Sequence, residues 1–472
     1  MNEKLKHVVG MVLAAAQETA RARPSRHPPP GDLFMHTHTH TAPAVVMSQR
    51  SARAARVFRR TATAALVSLV AFAGTAQAGE VEVLHWWTSG GEAKSVAELK
   101  KIMQAKGHTW KDFAVAGGGG DNAMTVLKSR VVSGNPPAAA QIKGPAIQEW
   151  ANEGVLANLD PVAKAEKWDS LLPKVVADVM KHKGVYVAAP VNVHRVNWVW
   201  ANPEVLKKAG VAAMPKNYDE FFAAAEKIKK AGLIPVAHGG QNWQDFTTFE
   251  SVALGVGGSK FYSDAFIKLD PQALGSDTMK KSLETFRKIK SYTDSAAPGR
   301  DWNLATAMVM QGKAGFQFMG DWAKGEFIAA GKVPGKDFLC AAAPGTGNAY
   351  TFNVDSFAMF KLKSADAQKA QADLAAAIMG PEFQEVFNLN KGSIPVRLNM
   401  KMDKFDDCAK TSTKDFVDTA KTGGLLPSIA HGMAVKPAAE GAIKDAVSQF
   451  WNDDKMTVAD AMKKIVAAAK TN

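Results

Sequence analysis

Ten side chains in this sequence pair aromatic faces or charge with places where the chain leaves regular structure. They are Trp86, Trp87 and Glu92 in VEVLHWWTSGGE, Lys143 in QIKGP, His194 in VNVHRVNW, Trp302 in RDWN, Trp322 in MGDW, Asp355 in FNVDSF, Lys391 in NKGSIP and His431 in IAHGM. Several indoles, several charged hydrogen-bonding groups and no evident metal cluster suit a sugar. A pyranose has apolar C–H faces that an aromatic ring can cover, and a girdle of hydroxyls that both donate and accept. Lysine can donate to that girdle while Asp or Glu accepts, and each hydrogen bond to a charged group contributes ~1.5–3 kcal/mol. Each residue also has a plainer reading: one Trp of the pair in the core, Lys143 in solvent, Asp355 capping a turn, the two histidines satisfied inside the fold, and Trp302 and Trp322 half in the core. The joint pattern carries the inference.

Elements of alternating type must hold these groups. VEVLHWW reads as a strand, and neighbouring strand residues point to opposite faces. One core can therefore take only one of Trp86 and Trp87. Helical spacing of Val96, Leu99, Ile102 and Met103 predicts a helix over 92–106. Residues 112–116 form a second strand candidate, followed by the glycine run Gly117–Gly120, which lacks a phosphate-loop context and reads as a flexible connection. A helix over 124–133, a short buried strand in AAAQIKG and a helix over 146–153 come next. GVYVAAPVNVHRVNWVWAN is the most strand-rich run and reads as a long strand able to pass between domains. Helices over 218–231, 278–293 and 365–379, strands over 314–319 and 351–360, and two C-terminal helices hinged at Asn452–Asp454 complete an α/β pattern.

The 472 residues carry a net charge of +13, but its origin is uneven. From Met47, five arginines precede a short apolar run and Ala76-Gln77-Ala78, the three parts of a secretory signal peptide over 47–78. Residues 1–46, with the MHTHTH tract, read as a non-native extension ahead of it. Ten basic and three acidic residues fall in 1–78, which leaves +6 for 79–472 and removes most of the case for a nucleic-acid partner. No later segment is long and apolar enough to span a bilayer. Cys340 and Cys408 can pair in an oxidising compartment, or stand as two free thiols.

The motifs EVLHWWTSGGE, QIKGPAIQEW, APVNVHRVNWVWAN, GGQNWQ, MGDW, NVDSF, NKGSIPVR and LLPSIAHGMAV resemble the periplasmic sugar-binding proteins of ABC importers, and most of all their glucose- and mannose-binding members. The resemblance runs over nearly all of 79–472. It implies an α/β, two-lobed periplasmic-binding-protein fold of type II kind, with chain crossings near 190–194, 345–350 and 391–395. The first lobe would be 79–190 plus 348–390, the second 191–347 plus 391–472. It further implies a monosaccharide held in the cleft by the ten residues above, an inner-membrane permease as partner, no cofactor and no catalysis, a monomer, and a periplasmic location. Gln241 and Trp243 in GGQNWQ fit the resemblance as support. A secreted glycoside hydrolase is the rival reading. It needs two carboxyls ~5–5.5 Å or ~6.5–9.5 Å apart, and Glu92 with Asp355 is the only obvious pair. A sensory module feeding a chemoreceptor would share fold and ligand.

Overall fold

The computed structural model describes residues 79–471. The N-terminal extension, the leader and its cleavage site lie outside the described residues. Along the chain the strands that matter for the site are β1 (Glu80–His85), β2 (Thr109–Ala114), β3 (Ala139–Gln141), β4 (Ala188–Pro190), β5 (His194–Arg195), β6 (Trp198–Ala201), β7 (Ile234–Val236), β8 (Ala314–Phe318), β9 (Leu339–Ala342), β10 (Tyr350–Asn353), β11 (Ser356–Met359) and β12 (Leu425–Pro427).

Two sheets form the centres of two lobes. One has the order β2-β1-β3-β11-β4, with β1 parallel to both β2 and β3, and β11 antiparallel to β3 and β4. The other has the order β9-β6-β8-β7, with β7 and β8 parallel. A third, small sheet, β12-β10-β5, joins segments far apart in sequence. Each large sheet is covered by helices. Val81, Val83, Leu84, Ala139 and Ala140 in the first sheet are fully buried, as are Phe316 and Ala201 in the second. Such strands read as short apolar runs because both faces are covered.

Two readings from the sequence need correction. GVYVAAPVNVHRVNWVWAN is not one long strand. It divides among four short strands in four different pairings, because Pro190 and the polar Asn192, His194 and Asn197 break the ladder. Residues 351–360 are likewise two strands, β10 and β11, which belong to different sheets and part at Val354–Asp355. The helix over 365–379 has the expected bounds, opened by the Ser364 side chain accepting from the backbone of Ala367. A helix the sequence did not suggest, Asn242–Tyr262, is the longest named here and is buried almost all round at its N-terminal half.

Cys340 and Cys408 are disulfide-bonded. The bond ties β9 to the start of the Asp407–Thr422 helix, within an apolar cluster that also contains Trp200, Trp302, Trp322 and Phe338.

Candidate functional site

Strands β1, β2 and β3 all run out on one side of their sheet, and β7 and β8 run out opposite them. Each hands the chain to a helix or loop that lines a single cleft, the place where open α/β sheets hold ligands. β1 is followed by Trp86, Trp87 and the helix Gly90–Ala105, β2 by Ala116–Gly119, and β3 by Lys143. From the other side, Trp243 and Trp322 stand at the starts of the helices after β7 and β8, and Trp302 starts the helix Trp302–Met310. Asp355 sits between β10 and β11, His194 in β5, Lys391 at the end of the helix Pro381–Lys391, and His431 in the loop after β12. All ten residues singled out from the sequence line this cleft, which encloses about 200 Å³.

The tryptophan pair does not divide as strand alternation suggested. β1 ends at His85, so both indoles follow the strand, and both are buried. Trp87 packs edge-on against Phe357 and at a tilt against Phe387. Trp86 lies between the backbone of Gly120 and the Lys143 ammonium, whose nitrogen is 5.3 Å from the ring centroid. Glu92 has a second task that the sequence pattern Ser-x-x-Glu could have signalled: its carboxylate accepts from the backbone N–H of Ser89 at 3.3 Å and closes the helix start. Its other oxygen accepts from Lys391 Nζ at 2.7 Å. Lys391 Nζ in turn lies 5.8 Å from the Trp87 ring centroid.

At the centre of the cleft floor, His194 joins two carboxylates. Its Nε2 meets Asp355 Oδ2 at 2.9 Å and its Nδ1 meets Asp321. Burial alone would push this imidazole down, but Asp321 and Asp355 outweigh it and hold its pKa above the ordinary value. Burial would likewise raise Asp355, yet His194, with Lys391 and Lys143 beyond it, brings that carboxyl far below the usual range. Asp355 is further fixed by Gln141, which donates to Oδ1 at 3.2 Å, and by Asn192, which accepts from the Asp355 backbone N–H at 3.1 Å. A carboxyl held this firmly ionised cannot serve as a general acid, and Glu92 is already paired with Lys391. That removes this pair as a hydrolase's acid and base.

His431 is the opposite case. Burial, reinforced by Lys143 and His194, drives its pKa well below the ordinary value, so the ring is neutral. Thr247 Oγ1 donates to the Trp243 carbonyl at 2.7 Å, so it accepts from His431 Nε2 at 2.9 Å. This leaves Nδ1 as a hydrogen-bond acceptor. Lys143 pairs with no carboxylate within 4.0 Å among the described residues. Burial depresses its pKa, partly offset by Asp355 and Glu440.

Trp243, which the resemblance offered only as support, lines the cleft as a further indole, fixed by its N–H donating to Gln241 Oε1 at 2.8 Å. Two further groups of the cleft escaped the sequence reading. Ser89 Oγ and Asn353 Oδ1 line the cleft, are buried, and have no hydrogen-bond partner. Buried polar atoms are nearly always paired in native proteins, and these two unpaired oxygens share the cleft with unpaired Lys143. Nothing in one dimension could have revealed an orphan atom. The GGQNW motif did carry a signal for Trp243, an aromatic beside glycines as in the Trp86 region.

Residues 90–382 match the bacterial extracellular solute-binding protein family. The chain belongs to that family. It is a binding protein, not an enzyme. It is 50% identical over 411 residues to a protein named probable sugar-binding periplasmic protein from Brucella suis biovar 1, covering 86% of this chain and 97% of that one. Among solved structures, a chitin oligosaccharide binding protein superposes with a TM-score of 0.72 at 17% identity, covering 83% of this chain and 98% of the other. The solute receptor AcbH, described as exclusively preferring β-D-galactopyranose, superposes with a TM-score of 0.70 at 19% identity, covering 83% and 99%. These last two likenesses establish the two-lobed fold.

Proposed function

We propose that this protein is the periplasmic receptor of an ABC sugar importer, which takes up one monosaccharide, glucose first and mannose or galactose as alternatives, and delivers it to the inner-membrane permease. The observation that carries this reading is the convergence of orphaned Ser89 Oγ, orphaned Asn353 Oδ1 and unpaired Lys143 on a cleft walled by five indoles. The buried charges favour a neutral guest. The Asp321–His194–Asp355 chain carries one net negative charge, Lys143 offsets it, and Lys391 and Glu92 cancel, while Asp301, which also lines the cleft, is exposed to solvent. A uronic acid or an amino sugar would leave an unpaired charge in a desolvated site, which is costly. The cavity is also smaller than the ~300–1,000 Å³ of sites for drug-sized ligands.

Hinge closing accompanies capture. On this reading the lobes are 79–190 with 348–390 and 191–347 with 391–472. The contacts that join them across the cleft include Gly91 N donating to Glu326 at 2.7 Å and the Asp121–Lys444 ion pair at 2.9 Å. Ligand drives closure only through its better affinity for the closed form. Titration calorimetry against glucose, mannose, galactose, glucuronic acid and glucosamine tests the proposal. One or two neutral hexoses should bind at micromolar Kd or tighter, and the two charged sugars at least about tenfold more weakly. Absence of binding by every hexose would overturn it.

A further inference from the structure

The segment joining β2 to the helix Asp121–Val132 is Val115-Ala116-Gly117-Gly118-Gly119-Gly120, and its Ala116–Gly119 portion lines the cleft. It belongs to the lobe of β1. Directly against it stands Trp243, from the lobe of β7 and β8. A Cβ placed on Gly118 would lie 2.7 Å from Trp243 Cζ2 and 2.8 Å from its Nε1. On Gly119 it would lie 3.1 Å from Trp243 Cγ. The backbone of the strap therefore rests against the indole of Trp243, closer than any side chain would allow.

Trp243 cannot swing aside to admit more bulk. Its N–H donates to Gln241 Oε1, and Gln241 Nε2 donates to Asp301 Oδ1 at 2.6 Å. Its ring also packs at 6.3 Å from Trp322 and 6.0 Å from His431. The strap is pinned as well, since Asn122 Nδ2 donates to the Ala116 carbonyl at 3.1 Å. Strap and indole thus make one continuous wall, half from each lobe.

The fold does not by itself fix ligand length, because a chitin-oligosaccharide protein and a galactopyranose receptor both share it. Something local must do so. We propose that the glycine strap and Trp243, meeting across the cleft, set the ligand length at a single sugar ring. This rests on the sugar-binding reading above. An open groove at this wall would admit a second ring, and the wall exists only when the lobes come together.

The test is calorimetric titration of the purified protein with glucose, galactose, maltose and cellobiose. The unaltered protein should bind a hexose and prefer it to either disaccharide at least a hundredfold. Trp243→Ala should cut that preference at least tenfold by gaining disaccharide affinity. Gly118→Ala pushes on the same contact from the opposite lobe and should weaken hexose binding at least tenfold. In the Trp243→Ala background the same glycine change should cost less than threefold. Trp243→Leu replaces the alanine variant should that one not fold, as judged by circular dichroism. If the unaltered protein binds no hexose, the sugar reading falls and this inference with it. If it binds a hexose while the Trp243 variants still reject disaccharides, or if Gly118→Ala costs the same in both backgrounds, the inference alone is wrong.

Discussion

Lys143→Met removes one charge from the cleft and little volume. Burial depresses the pKa of Lys143, and it has no carboxylate partner within 4.0 Å among the described residues. On the proposed reading its ammonium is a donor to the guest, and it balances the negative charge of Asp321–His194–Asp355. Losing one hydrogen bond from a charged group costs ~1.5–3 kcal/mol. That is a rise in Kd of about 10- to 150-fold. Stability should not fall with it, since methionine carries no charge to desolvate. The pH dependence gives a second readout. Burial lowers the folded lysine's pKa, so between the folded and unfolded values the unfolded chain binds more protons and stability rises with pH. The methionine variant lacks that rise. Hexose affinity of the unaltered protein should fall over the same interval, while the variant's stays flat. The assay is calorimetry at neutral and alkaline pH, paired with thermal melting. A variant that binds within threefold of the unaltered protein at neutral pH would refute the assignment, as would parallel loss of affinity in both proteins at high pH.

Three further outcomes follow from the same geometry. Replacing both cysteines (Cys340→Ser with Cys408→Ser) opens a loop with a sequence separation of 68 and should cost about 4 kcal/mol; thermal melting should show a fall of at least about 5 °C, and an unchanged midpoint would argue against it. Glu250, pushed up to about 7 by burial, accepts from Ser428 Oγ and the Ile429 backbone N–H and so holds the loop that bears His431. Because its folded pKa lies above the unfolded one, its contribution to stability declines as pH rises from about 4.5 to about 7; Glu250→Gln should flatten that decline in melts taken across the range. Gly144 has a φ of +49° and a Cβ there would lie 2.1 Å from the Gly432 carbonyl oxygen; Gly144→Ala should weaken hexose binding at least tenfold in calorimetry, and an unaltered Kd would show that this close approach is dispensable.

What the sequence disclosed depended on how locally each feature is encoded. The helix Ala365–Met379 was legible to its ends because Ser364 caps it and Gly380 and Pro381 stop it. The helix Asn242–Tyr262 was not, because Gln244, Asp245, Thr247, Thr248 and Glu250 are buried on it, which erases the apolar stripe that marks a surface helix. Residues 351–360 misled for a related reason: the alternation of an uninterrupted strand is present, but Asp355 turns out of it to meet His194 and Asn192. The ten cleft residues were legible because their motifs are compact and unusual. Ser89 and Asn353 were not, since what distinguishes them is a partner they lack in space. The pairing of Cys340 with Cys408 lay beyond sequence spacing, being decided by which strand and helix come to lie side by side.

The covalent link between β9 and the Asp407–Thr422 helix acts like a rivet through one jaw of a pair of pliers. It stiffens the backing plate behind Trp302 and Trp322. A thiol reagent should therefore slacken the wall to which these two indoles belong, while Trp87, packed on Phe357 and Phe387 of the other sheet's lobe, keeps its seat.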